Sequence, residues 1–422
     1  MGGEKIMDLV IRQARLRRTE GLRDIGIQGE RIAEIAPSIR ARGAREIAAD
    51  GRLVTPAFVN PHMHLDKCMV RDRMRPNATF SFDEAIELTW GFKRDRSVDD
   101  IRQTAVGVAE QAVANGTTHM RVFADVDTVG GLKPVKAMLA VREEMKDVLD
   151  IQVVAFPQEA IVRNPGSDKL LDEALALGAD VVGGLPWYEH SDPDARAHID
   201  HCFELGKRYG KPIHMLVDDT SDPTSRTLEM LALKTTRAGL SHHVSASHCE
   251  AITFYDPTHA ARVIALVKQA GMSIVSNAHI SLTLIGIVGR AQPAPRGITR
   301  VWEFLQAGVN VASGQDDVND PYYPFGRCDQ LEVGWIMAHT AQLVFADDIE
   351  TVYDMITTNA AKVMGLPDYG LEAGRRADLV VLDAPNVKEA FRLHADRLYV
   401  IRKGCVVAET RTTRTVHRQP GR

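Results

Sequence analysis

Between residues 55 and 368 the chain alternates short apolar runs with longer stretches whose apolar positions recur at helical spacing. Eight apolar runs stand out, at 53–65, 117–125, 151–157, 179–186, 212–218, 243–248, 273–277 and 309–316. Helical patterns fill the gaps, as at 98–114, 135–146, 169–177 and 195–209. Strand–helix alternation predicts right-handed βαβ units and a parallel sheet. Eight units over this length predict an α/β fold of the (β/α)8, TIM-type barrel class. An open doubly wound sheet would place a Gly-rich phosphate turn after the first strand, and the sequence has none there. The two ends have another texture, with short β-like runs punctuated by Gly and Asp. They predict a small β-sandwich domain built from both termini, 1–54 and 369–422, around a barrel at 55–368.

Composition narrows the function classes. With 45% hydrophobic and 25% charged residues, the 422-residue chain can bury a full core. A net charge of −5 speaks against nucleic acid. Basic clusters at 12–18 and 411–422 read as solvated. Five cysteines without a CxxC pair fit a reducing compartment. No apolar run approaches the ~18 residues of a membrane span, and Met1–Lys5 lacks a signal-peptide core. The expectation is a cytoplasmic protein that contacts neither membrane nor nucleic acid.

In a barrel the active site lies at the C-terminal ends of the strands, so those ends form a shortlist. The first ends in His62-Met63-His64, whose i and i+2 imidazoles share one side of a strand. Gln158 follows the third, Asp218 and Asp219 the fifth, His248 ends the sixth, and Asp316 and Asp317 follow the eighth. Neutral imidazoles and a carboxylate bind a divalent cation, which lowers the pKa of its water from ~16 to ~7. A second carboxylic acid can carry the proton to a leaving group. This is equipment for hydrolysing a C–N bond at a planar carbon.

His62-x-His64 after Pro-x-Phe-Val-x-Pro, then His248, then Asp316, in a barrel flanked by a split β domain, resembles the amidohydrolase superfamily. Phe156-Pro157-Gln158-Glu159, Ala246-Ser247-His248, Arg296-Gly297-Ile298-Thr299-Arg300-Val301 and Asp316-Asp317-Val318-Asn319-Asp320-Pro321-Tyr322-Tyr323-Pro324 are similar to the bacterial cytosine deaminase and N-isopropylammelide isopropylaminohydrolase branch. The resemblance implies one divalent metal ion, zinc or iron. It implies His62, His64 and Asp316 as ligands, and His248 as ligand or water-orienting base. Asp316, Asp219 and His248 would be the catalytic groups. Gln158, Asp317 and Tyr322 would meet a small heterocyclic substrate. A homo-oligomer is compatible with the family.

The fifth strand departs from the family pattern His-x-Asp-Glu. Leu216 stands at the metal position and Asp219 replaces the Glu. His214 faces the same side one layer, ~6.5 Å, deeper. Three readings follow: a bulge lets His214 reach the metal; His62, His64, His248 and Asp316 hold it alone; or the site has lost its metal or its activity. The expected function is a metal-dependent, cytosine deaminase-like aminohydrolase with an altered substrate. The alternatives are a hydrolase of a cyclic amide or N-alkylamino heterocycle, and a non-catalytic ligand-binding homologue.

Overall fold

The computed structural model describes residues 6–79, 81–283 and 297–417. Arg296 of the Arg-Gly-Ile-Thr-Arg motif and residues 418–422 of the basic tail lie outside them. The chain divides into two compact units, one of residues 1–57, 113–116 and 368–422, the other of residues 58–112 and 117–367.

The larger unit holds eight parallel strands in sequential order. They are β1 (Phe58–Met63), β2 (Thr117–Asp125), β3 (Asp150–Phe156), β4 (Val181–Gly184), β5 (Ile213–Val217), β6 (Val244–His248), β7 (Ser273–Val275) and β8 (Asn310–Ala312). Every residue of β1, β2, β5 and β6 is buried, as expected of strands covered on both faces. Helices follow the strands, and their ends obey local chemistry. Asp192–Tyr209 starts at Ser191, whose side chain accepts from Asp194 N, and stops at Gly210 in the left-handed region. Pro257–Ala270 repeats the device with Asp256 and Gly271.

Past β8 the chain returns to β1. Asp316 N donates to His62 O at 2.9 Å and His64 N donates to Asp316 O at 2.7 Å, an isolated parallel bridge between Met63 and Asp316. Gly314 permits the approach: a Cβ there would lie 2.8 Å from His62 O and 2.9 Å from His62 Cβ. The predicted (β/α)8 barrel is thus present, closed through the backbone of three candidate site residues.

Three runs differ in detail. The expected first strand, 53–65, is two strands in two units: Leu53–Pro56 pairs antiparallel with Leu379–Leu382, and only Phe58–Met63 joins the barrel. β7 and β8 have three residues each, because Ser276 and Asn277, and likewise Ser313–Asp316, leave the ladder.

In the smaller unit both termini contribute to one eight-stranded sheet. Its order is Cys405–Glu409, Arg397–Arg402, Leu379–Leu382, Leu53–Pro56, Ile6–Arg15, Leu22–Gln28 and Arg31–Ala36, with Arg42–Ala48 also on Ile6–Arg15. Its core collects Ile11, Ile25, Ile27, Val54, Leu379 and Ile401. Arg12, expected to be solvated, instead pairs with Asp24 at 3.0 Å and Glu46 at 2.6 Å. No described helix is long and apolar enough to cross a membrane.

Candidate active site

At the C-terminal mouth of the barrel, β1 presents His62 and His64, and the chain after β8 presents Asp316. Asp316 Oδ1 lies 3.1 Å from His62 Nε2 and 3.4 Å from His64 Nε2, and the two Nε2 atoms are 3.3 Å apart. His248 points its Nε2 at Asp316 Oδ2, 3.6 Å away, and its Nδ1 at Asp219 Oδ1, also 3.6 Å. Neither His248 nitrogen has a hydrogen-bond partner. Two of these residues hold unusual backbone, His248 at φ 69° and Asp316 at φ 65°. Such conformations cost on the order of 1–2 kcal/mol in a non-glycine residue and gather at functional sites.

The cavity above these groups is lined by His64, Gln158, Asp219, His248, Asp316, Asp317 and Tyr322, with Leu216 in its wall. The structure therefore brings together every predicted site residue except His214. Leu216 packs with Phe123, Phe156, Val181 and Leu185, so the strand-5 position at this layer is apolar. His214 sits below, with both ring nitrogens engaged. Arg121 Nη1 donates to His214 Nδ1 at 3.1 Å, and His214 Nε2 lies 2.7 Å from Ser247 Oγ. Arg121 can only donate, so His214 carries its proton on Nε2 and passes it towards Ser247. Ser247 Oγ also lies 2.6 Å from His62 Nδ1. His214 is thereby placed behind His62, and the bulge that would lift it to the cavity floor is absent.

Burial sets the charges. It pushes the His62, His64 and His214 imidazoles below their ordinary range, His64 and His214 well below. Burial opposes ionisation of Asp316 too, but His62 and His248 overcome it and hold that carboxyl far below the usual range. Burial raises Asp219, against the pull of His248 and with repulsion from Asp316. Burial and Asp219 raise Glu250 well above its ordinary value. Neutral imidazoles beside an ionised carboxylate are the donor chemistry of a divalent cation site. The His62, His64 and Asp316 donor atoms lie within the mutual reach such a site requires. A ring bound through Nε2 donates from Nδ1, and the Ser247 hydroxyl, which can accept or donate, suits either tautomer of His62.

Several participants escape a reading by strand ends. Lys67 donates to Asp125 at 2.6 Å and to Gln158 Oε1 at 3.2 Å. Its 3.2 Å contact to His64 Nδ1 competes with the tautomer that bares Nε2; Asp125, closer and charged, is its main partner. Because Lys67 occupies the carbonyl oxygen of Gln158, the amide N–H group of that residue is left to face the cavity. Glu250 lies beside Asp219 and His248, with donor atoms of all three within 4.8 Å of one another. Its only signal was its place two residues after His248. Asp317 leans on neighbouring Asp320, which accepts from Tyr322 N and Tyr323 N. Tyr322 Oη and Asp317 Oδ1 are buried without a partner. His279 turns away to Gln315 O at 2.6 Å, and Cys249 is buried with its thiol pushed well up by burial and nearby carboxylates.

Residues 102–414 match the model of the amidohydrolase family. The chain is 32% identical to the N-isopropylammelide isopropyl amidohydrolase of Pseudomonas sp. (strain ADP), over 96% of this chain and 98% of that protein. It is 31% identical to the pterin deaminase of Rhizobium rhizogenes, covering 92% and 89%. The crystal structure of 5-methylcytosine deaminase from Klebsiella pneumoniae, liganded with 5-fluorocytosine, superposes with a TM-score of 0.92 at 35% identity, over 97% of this chain and 99% of that one.

Proposed function

The chain belongs to the amidohydrolase family, as a hydrolase of carbon–nitrogen bonds other than peptide bonds, and from that premise we propose that it is a metal-dependent aminohydrolase acting on a small nitrogen heterocycle. The observation that carries this reading is the convergence of His62 Nε2, His64 Nε2 and Asp316 Oδ1 on the floor of a cavity walled by Gln158, Asp219, His248 and Tyr322. His62, His64 and Asp316 would hold one divalent cation, zinc or iron, and His248 stands beside Asp316. When bound, that cation supplies a water acidic enough to ionise near neutral pH. His214 holds His62 in place through Ser247 and stays off the cation.

The remaining work belongs to the side chains. Gln158 offers its amide N–H to a ring nitrogen or carbonyl oxygen, which selects an acceptor edge. Tyr322 covers the ring face, and its hydroxyl and Asp317 supply further polar contacts. Asp316 accepts the proton of the attacking water. His248, 3.6 Å from both Asp316 and Asp219, orients that water, and Asp219 delivers a proton to the departing amine. Asp219 is one methylene shorter than the family's Glu, and the contact with His248 keeps it at the cavity wall. The names of the relatives point to pyrimidine, pterin and triazine rings.

The test is release of ammonia or amine from panels of those three rings by zinc- or iron-loaded protein. Turnover of at least one ring, lost in Asp316→Asn, is expected. No turnover of any ring by cation-loaded protein refutes the proposal.

A further inference from the structure

A second cavity of about 240 Å³ adjoins the first. Phe82 and Asp219 line both. An unbroken aromatic wall joins them: Phe82 packs against Tyr322 of the first cavity at 5.5 Å between ring centroids, and against Trp187 and Tyr188 of the second at 5.1 and 5.3 Å. Tyr188 is held by Asp83, to which it donates at 2.8 Å, and by the Arg163 guanidinium 3.9 Å above its ring.

Position gives the second cavity its meaning. Asp219 stands on the boundary, and in the reading above it hands the proton to the departing nitrogen. Whatever that nitrogen carries passes Asp219 into the second cavity. We infer that the second cavity is a leaving-group subsite, and that the amine expelled carries a flat, ring-sized substituent. Flat rings pack on Phe82, Trp187 and Tyr188 in offset or edge-to-face arrangements, which add to simple burial. The reaction is a hydrolysis. The water oxygen bonds to the ring carbon, the exocyclic C–N bond breaks, and the amine leaves with the proton from Asp219; no oxidant or reductant enters. The inference rests on the aminohydrolase reading and adds what the leaving nitrogen bears.

The experiment uses cation-loaded full-length protein. Cytosine, pterin and ammelide are compared with their derivatives bearing benzyl on the exocyclic nitrogen, and released ammonia or amine is quantified by chromatography. For the ring that is turned over, kcat/KM for the benzyl derivative is expected to exceed that of the unsubstituted parent at least tenfold. Trp187→Leu, which removes the flat ring from the second cavity, should take back fivefold or more of that gain while changing the parent less than twofold. Faster turnover of the parents than of the benzyl derivatives overturns the leaving-group subsite and leaves the aminohydrolase reading standing. An equal effect of Trp187→Leu on parent and benzyl derivative overturns the placement of the substituent in the second cavity. No turnover of any of the six compounds, which cover all three rings, overturns the reading and the subsite together.

Discussion

Ser247→Ala probes the least expected feature of the site, a hydroxyl between two buried imidazoles. Ser247 Oγ lies 2.6 Å from His62 Nδ1 and 2.7 Å from His214 Nε2. Both rings and Ser247 are buried. Deleting one oxygen opens less than the ~10–15 Å³ a water needs, so both nitrogens stay unpaired. At about 1–3 kcal/mol for each of the two stranded groups, the loss is roughly 2–6 kcal/mol. With about 2.1 cal/mol/K of unfolding entropy per residue, that corresponds for a chain of this length to a fall in Tm of roughly 2–7 °C. Loss of an outer partner of a ligating His typically weakens metal affinity ~10–100-fold. Ser245→Ala on the same strand is the control. Its hydroxyl makes only long contacts, 3.4 Å from Arg121 and 3.5 Å from Ile213 O, so its effect should stay within about 1 kcal/mol. Thermal melts and a chelator-competition titration of zinc decide. A Ser247→Ala protein that matches Ser245→Ala in both Tm and zinc affinity refutes the relay from Arg121 through His214 to His62.

His62→Ala and His64→Ala should each abolish retention of the cation through gel filtration, measured by elemental analysis, since either removal leaves a two-residue core of donors. Tyr322→Phe should raise stability by up to about 1 kcal/mol, because its hydroxyl is buried without a partner, yet raise KM several-fold; melts and steady-state kinetics check the pair of signs. The Glu159 carboxyl is pushed up to about 7, by burial first, against the pull of Lys93 and with repulsion from Asp127 and Asp125. A raised folded pKa means the unfolded chain releases its proton first, so this group's contribution to stability is full below ~4 and is lost as pH rises to about 7. Glu159→Gln should flatten the Tm-against-pH curve over that window, and an unchanged slope would contradict the assignment.

The barrel was legible because its signal is repetitive: eight buried strands must each be apolar, and the helices between them must keep a helical period. The convergence of His62, His64, His248 and Asp316 was legible because barrel topology gathers strand ends. What stayed hidden depends on the third dimension. His214 looks like a ligand by type, and its spacing from Leu216 puts it a layer deeper; only the partners at that depth, Arg121 and Ser247, reveal its role. Serine and arginine inside a strand carry no periodic signature. The hold of Lys67 on Gln158 depends on side chains 91 positions apart. The split of the first run at Ala57 was hidden because Leu53–Pro56 and Phe58–Met63 are equally apolar, though they serve different sheets.

The closing seam also governs when the site can exist. Asn60 Oδ1 accepts from Gln315 N across 255 positions, and the same seam seats Asp316 against His62 and His64. Loop closure over such a span costs roughly 5 kcal/mol of chain entropy, from (3/2)RT ln n. During synthesis the two histidines emerge early and wait for most of the barrel to follow before their carboxylate partner arrives. In the proposed site, a cation caught by the nascent His-x-His pair alone would be held by two donors and would exchange readily. Once β8 is in place a third donor would clasp it, and the cation would in turn fasten the first strand to the last. Selection of the metal would thereby wait for the barrel to close.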